Sequence, residues 1–226
     1  MAGGFTRRRH PGGFTDRLEA GHALATALSD RGWGRAETVV LGLARGGVPV
    51  AAVVARELGA ALDVVVVRKL GAPGHEELAL GAITRGRIVL NAGLVADLGV
   101  AQQDIDAIAQ RQRRELERRE DVYRRGRQPA EVAGRTVVLV DDGVATGASM
   151  RVAALALRDA GPARLVIATP TGPSTVSELF SDLADDVVCV HSPRPFIAVG
   201  LAYRDFDQVP DEVVTAELNA DWLNPD

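Results

Sequence analysis

The sequence predicts an α/β protein: an open, mostly parallel twisted sheet with helices on both faces. Three observations point there. Short apolar runs rich in β-branched residues recur at 38–43, 62–67, 136–140, 164–169 and 187–191, each bounded by polar or breaker residues. Stretches of helical spacing separate most of them, as parallel strands joined by crossover helices require. At 226 residues and 46% hydrophobic content the chain can bury a sizeable core as one unit.

Residues 1–13 are rich in Gly and Arg and read as loose. Residues 14–31 place Leu18, Gly21, Ala25 and Leu28 at helical spacing, with Thr15 as the expected N-cap and Gly32 and Gly34 ending the helix. The run 38–43 reads as a strand buried on both faces, and Ala44-Arg45-Gly46-Gly47 leads from it into a helix over 48–58 with Pro49 in its first turn. The strand at 62–67 closes on Arg68 and Lys69. A breaker-rich loop at 71–77 and a hairpin of 78–84 with 87–91, joined by Arg85-Gly86, come next. A long charged helix spans 104–127, and a strand at 136–140 feeds a turn and a helix over 150–159. A strand at 164–169, a helix at 175–183 and a strand at 187–191 complete the core. The tail holds most of the remaining aromatics, Phe196, Tyr203, Phe206 and Trp222. No linker divides the chain, so 1–226 reads as one domain with a core over 14–191 and a mixed C-terminal segment over 192–226.

Composition excludes several classes. The net charge of -4 gives no global pull toward nucleic acid or anionic membrane. The one cysteine, Cys189, leaves no internal disulfide and fits a reducing compartment. Arg7, Arg8 and Arg9 are followed by no apolar stretch, so no secretory signal is read, and no run approaches the roughly 18 apolar residues of a membrane span. A cytoplasmic protein is the expectation.

In a sheet of this kind ligands bind beyond the carboxyl ends of the strands, where the strand order reverses. The loops after Leu43, Val67, Val140 and Thr169 are therefore expected on one edge. The richest is the stretch RTVVLVDDGVATGASM, from Arg135 to Met150. Its strand ends in Asp141 and Asp142, and Gly143, Val144, Ala145, Thr146, Gly147, Ala148 and Ser149 lead into a helix. Backbone N–H groups, hydroxyls and a helix N-terminus together suit a phosphate, and Gly147 permits close approach. Two carboxylates beside an anion site need a divalent cation or sugar hydroxyls between them and the phosphate, and a phosphosugar meets both needs. A nucleoside-triphosphatase phosphate loop would require a Lys that is absent here. A receiver domain would require a later Lys, yet Lys69 is the only lysine among the 26 basic residues. A buried strand with a charged turn is the bland alternative.

VVLVDDGVATGAS resembles the phosphoribosyl-diphosphate (PRPP) signature of type I phosphoribosyltransferases at nearly every position. The resemblance implies a transferase moving the 5-phosphoribosyl group to a nitrogenous base or amine with release of diphosphate, dependent on Mg²⁺. It implies ribose hydroxyls on Asp141 and Asp142, which would also hold Mg²⁺ directly or through water, and phosphate on residues 143–149. Ala44, Arg45, Gly46 and Gly47 resemble the family's diphosphate loop, where a peptide is often cis; a tight turn is the alternative. A basic residue after the next strand, here Lys69, would reach the diphosphate, and the loop 71–81 would be a mobile lid. His75, Glu76 and Glu77 are acid–base candidates on that lid, though as loop residues they read more readily as solvated. A homodimer is the expected assembly.

The helix over 104–127 is arginine-rich, with expected pairs Arg111–Glu115, Glu115–Arg119 and Glu120–Arg124. Its stripe of Ile105, Ile108, Gln112, Leu116 and Tyr123 could pack on the sheet or on a partner subunit. The plain reading is a solvated helix laced with ion pairs; the other is a nucleic-acid surface, because some proteins of this fold are regulators that bind RNA or DNA. Ala145 stands where members using hypoxanthine or guanine carry Asp, and the region 187–196 contains His191 and Arg194 but no Lys. The resemblance also implies a small hood over 192–226; the acceptor pocket is expected over 191–206, with Phe196, Tyr203 and Phe206 divided between base stacking and core packing.

Overall fold

The computed structural model describes residues 13–34 and 37–220. All but Gly13 of the predicted loose segment 1–13, and Trp222, lie outside the described residues.

Five parallel strands form the main sheet: β1 (Thr38–Leu43), β2 (Ala61–Val65), β6 (Thr136–Val140), β7 (Arg164–Thr171) and β8 (Asp186–His191), in the order β2-β1-β6-β7-β8. Alternation along the strands loads both faces with apolar side chains. Val40, Val138, Val140, Val166 and Ala168 pack under α1 (Arg17–Asp30) and α2 (Gly47–Leu58). Val39, Leu41, Val137, Leu139, Leu165 and Ile167 face α5 (Ala148–Asp159) and the stretch from Val176 to Leu183, which contains the short α6 (Val176–Leu179). The predicted open parallel sheet, sandwiched between helices, is the observed one.

Several local expectations are corrected. Helix α1 is capped by Asp16, whose carboxylate accepts from Leu18 N and Glu19 N, rather than by Thr15. An ionised acceptor at the positive end of a helix outcompetes a hydroxyl one residue earlier. Leu18 is 54% exposed, while Ala20 and Leu24 join Gly21, Ala25 and Leu28 in the buried stripe. Gly21 is a contact point: a Cβ there would lie 2.7 Å from Val53 Cβ, so its absence lets α1 and α2 approach closely. The predicted helix over 175–183 shortens to four residues, Val176–Leu179.

The expected lid loop is a strand pair. β3 (Arg68–Ala72), β4 (His75–Thr84) and β5 (Arg87–Leu90) form a separate antiparallel sheet, turning at Pro73-Gly74 and Arg85-Gly86, where both glycines have positive φ. Arg68 and Lys69 therefore open β3 instead of closing β2, which ends at Val65. Asn91 caps a short unpredicted helix, α3 (Ala92–Asp97), none of whose residues is buried.

The long helix α4 (Gln102–Arg124) lays Ile105, Ala109, Leu116 and Tyr123 inward. Ala109 meets Leu70 and Ile83 of the small sheet, and Leu116 and Tyr123 meet Val64, Val214 and Leu218, the last two on α7 (Asp211–Asn219). Two of the expected pairs form, Glu115–Arg119 at 2.9 Å and Glu120–Arg124 at 3.1 Å. The second is not solvated: Glu120 and Arg124 are buried with Asp63, which takes Arg124 Nε at 2.9 Å and the backbone N–H groups of Val64 and Ala130. This half of α4 is pinned to β2 by a buried ionic network.

Candidate active site

The strand order reverses between β1 and β6, and the two loops singled out by sequence leave the carboxyl ends of those strands. They touch. A Cβ on Gly46 would lie 2.0 Å from Asp142 Oδ2, and one on Gly47 would lie 2.6 Å from Val140 O and 2.8 Å from Asp141 Cα. Gly46 has φ -60° and ψ -33°, an ordinary helical conformation, so close approach and not backbone freedom requires the glycine. The Ala44–Arg45 peptide is cis.

The loops open on a cleft of about 540 Å³ lined by Arg17, Leu43, Ala44, Arg45, Gly46, Val67, Asp141, Asp142, Ser149 and residues 206–209. Beside it a hollow of about 160 Å³ is lined by Asp141 and residues 143–150. Gly147 caps α5 at φ 75°, and a Cβ there would lie 2.8 Å from Phe180 Cζ; both facts call for glycine. The first turn of α5 leaves backbone N–H groups without intrahelical partners next to this hollow.

The acid pair is asymmetric. Burial, then the charge of Asp142, push the Asp141 carboxyl well above the usual carboxylate range, against the Asp142 N–H that donates to Asp141 Oδ1 at 2.9 Å and the Arg17 charge. Gly47 covers it, a Cβ there falling 3.1 Å from Oδ1. Burial also raises Asp142, and Arg17 opposes this through its charge and hydrogen bonding. Arg17 Nε and Nη2 each lie 2.8 Å from Asp142 Oδ2, and Nη1 donates to the Asp207 carbonyl at 2.8 Å.

Among the described residues no group of three His, Cys, Asp or Glu could hold a metal. The two carboxylates suit a hard cation whose remaining ligands come from substrate oxygens and water.

The structure thus brings together Ala44, Arg45, Gly46, Gly47, Asp141, Asp142 and residues 143–149. It does not bring Lys69 into the lining of either hollow: Lys69 is exposed on β3, while half-buried Arg68 donates to Gln112 Oε1 at 3.0 Å. His75 is exposed at the β4 end of the turn, and the side chains of Glu76 and Glu77 lie outside the described residues. Of the expected acceptor segment only Phe206 lines the cleft; His191 and Arg194 do not, and residues 207–209 do. Tyr203 is 3% exposed, stacks on Phe206 at 4.8 Å and donates its hydroxyl to Asp142 O at 2.5 Å, so it packs and holds the Asp142 backbone and offers no face to a base.

Arg17 went unpredicted. One signal was available: a basic residue in the first turn of a helix opposes the macrodipole and invites another explanation.

A switch-point cleft with backbone N–H groups on one side and paired carboxylates at its centre has the chemistry to take a ligand that carries both an anionic group and hydroxyls. The model of the phosphoribosyl transferase domain matches residues 16–203, and the chain belongs to that family. It is 48% identical to TT1426 from Thermus thermophilus, whose crystal structure superposes with a TM-score of 0.76 over 91% of this chain and 97% of that one. It is 46% identical over 207 residues to Rv0571c of Mycobacterium tuberculosis strain H37Rv, provisionally named a phosphoribosyl transferase, and equally to MT0597 of strain CDC 1551. The match covers 91% of this chain but 46% of those relatives, so the chain spans about half their length. No described helix is long and apolar enough to cross a membrane.

Proposed function

We propose that the protein transfers the 5-phosphoribosyl group of PRPP to a nitrogenous base or amine, releasing diphosphate with the help of Mg²⁺. The observation that carries this is the contact of Gly46 and Gly47 with the acid pair, which sets two anion-binding loops around one pair of carboxylates. On this reading the 5-phosphate sits on residues 143–149, and Asp141 and Asp142 hold the ribose diol. Arg45 and the N–H groups of Gly46 and Gly47 take the diphosphate, and Lys69, exposed on β3, is the basic residue that would reach it. Mg²⁺ would supply charge neutralisation for the departing diphosphate, held by Asp141 and Asp142 directly or through water.

Breaking the anomeric bond builds positive charge on the sugar ring and negative charge on the leaving group. The chain's tasks are to hold both ends in line, to stabilise the departing charge and to keep water out. Asp211 pairs with Arg45 at 3.6 Å and would yield it to the diphosphate. The segment from Ser192 onward serves as the hood, with residues 206–209 facing the acceptor. With Ala145 and no Lys over 187–196, hypoxanthine and guanine lose two charge-assisted contacts worth about 1.5–3 kcal/mol each and are expected to be poor acceptors.

A PRPP-sensing regulator that binds nucleic acid is the second reading, favoured only by the exposed arginines 113, 114, 118, 125 and 127 of α4 and its C-terminal turn. Thermal melts test the PRPP site. Wild type should melt higher with PRPP and Mg²⁺ by linkage, and the Asp141→Asn/Asp142→Asn double mutant should not. An equal shift in the mutant places the ligand elsewhere. Salt-sensitive RNA binding without acceptor-dependent diphosphate release would favour the regulator.

A further inference from the structure

Arg17 closes a ring of contacts around the acid pair that the PRPP signature does not account for. Its guanidinium lies over the Phe206 ring, 4.1 Å from the centroid, while the opposite side of Phe206 stacks on Tyr203. Tyr203 returns to Asp142 through its hydroxyl, and Arg17 returns to the same residue through Oδ2. Asp142 is thereby fixed at its carbonyl and at one carboxylate oxygen. The support is anchored at both ends of the chain: Phe14 N donates to Ala202 O, Arg204 N to Phe14 O and Asp205 N to Thr15 O, tying the entry of α1 to the segment that carries Phe206.

Two consequences follow. With Tyr203 on one side and Arg17 on the other, Phe206 offers no free face on which a base could stack. And both nitrogens that reach Asp142 converge on Oδ2, so the Arg17 contacts leave Oδ1 to other partners.

We infer that Arg17 is a positioning residue for sugar binding: it immobilises Asp142 through one oxygen so that the other meets a ribose hydroxyl. The inference rests on the PRPP reading of the cleft and adds to it a residue outside the signature. The competing role for a cation seated on a substrate carboxylate is a plug that ligand must displace, and the two roles predict opposite signs when the residue is changed. A plug would have to leave three hydrogen-bond contacts and an aromatic face together, which disfavours it. A positioning role uses all four as they stand.

The test titrates wild type, Arg17→Lys and Arg17→Met with ribose 5-phosphate and with inorganic diphosphate, both without Mg²⁺ so that no metal on Asp142 links the two ligands, by calorimetry. Ribose 5-phosphate carries the diol and diphosphate does not. Arg17→Met should bind ribose 5-phosphate at least about tenfold more weakly, the equivalent of one charge-assisted hydrogen bond, and bind diphosphate within about twofold of wild type. Arg17→Lys keeps the charge but cannot bridge Asp142 and Asp207 in a planar fork, and should fall between. Its melting temperature guards against a folding defect in the Met variant. Equal weakening toward both ligands in the two variants would reduce Arg17 to general scaffolding and overturn the inference. Tighter ribose 5-phosphate binding by Arg17→Met would make it a plug and overturn the inference as well. Wild type that binds neither ligand would instead overturn the PRPP reading itself.

Discussion

Gly46→Ala isolates the interlock between the two loops. Gly46 already has helical angles, so its backbone accepts alanine and the unfolded chain would lose entropy, a gain of about 0.4–1 kcal/mol if nothing else happened. Space decides otherwise. The new methyl would sit 2.0 Å from Asp142 Oδ2 and 2.7 Å from its Cγ, and an unstrained contact needs about 3.5 Å. Asp142 cannot rotate aside cheaply, because Oδ2 is the atom on which Arg17 Nε and Nη2 converge at 2.8 Å. Losing that partly buried pair costs about 2–4 kcal/mol, several times the entropic gain. For a chain of this length that is a fall of roughly 5–15 °C in melting temperature. The assay is a thermal or urea melt of ligand-free protein, with Asp142→Ala as partner in a double-mutant cycle. The second substitution removes the clashing oxygen, so Gly46→Ala should cost little in that background. A Gly46→Ala protein as stable as wild type, or a cycle with no coupling, would refute the reasoning.

Asp141→Asn should stabilise the ligand-free protein at neutral pH. Its folded pKa is raised, so its contribution to stability is full below the unfolded value of 3.8 and is lost as pH rises through the folded pKa. Melting temperatures of wild type and mutant should converge toward pH 3.8, separate as pH rises from there, and keep a constant gap above the folded pKa; curves parallel throughout would count against the assignment. Asp63→Ala should destabilise by about 2–4 kcal/mol, since it leaves buried Arg124 with Glu120 as its remaining counter-charge and strips the Val64 and Ala130 N–H groups of their acceptor, and urea denaturation reads this directly. Gly147→Ala meets both a positive φ and the Phe180 ring, and should cost about 1–3 kcal/mol while abolishing the PRPP-induced thermal shift; an intact shift would move the phosphate off this turn.

The sheet was legible because its strands are short apolar runs: residues 38–43 and 136–140 are too short for helices, rich in valine and bounded by polar or breaker residues, which favours strands buried on both faces. The acid pair and the phosphate turn were legible because both lie within one short segment. The lid was misread as a loop because Gly71, Pro73, Gly74 and Gly81 are breakers, yet only the Pro73-Gly74 pair turns the chain and the rest is strand. Glu120 and Arg124 read as solvated because helical spacing supplies each with a partner four residues away. Burial comes from Asp63, a residue 61 positions from Arg124 that local pattern cannot connect. Arg17 is the same case on a larger scale: its partners, Asp142, Phe206 and Asp207, are brought to it only by the closed fold.

The most direct measurement of the central claim is diphosphate release from PRPP and Mg²⁺ across a panel of bases and amines, with the phosphoribosylated product identified by mass. The account predicts release that depends on an acceptor, is abolished in Asp141→Asn/Asp142→Asn, and is poor with guanine. Two results would contradict it: no acceptor-dependent release from protein that melts higher with PRPP, or efficient turnover of guanine with kcat/KM above about 10⁴ M⁻¹s⁻¹.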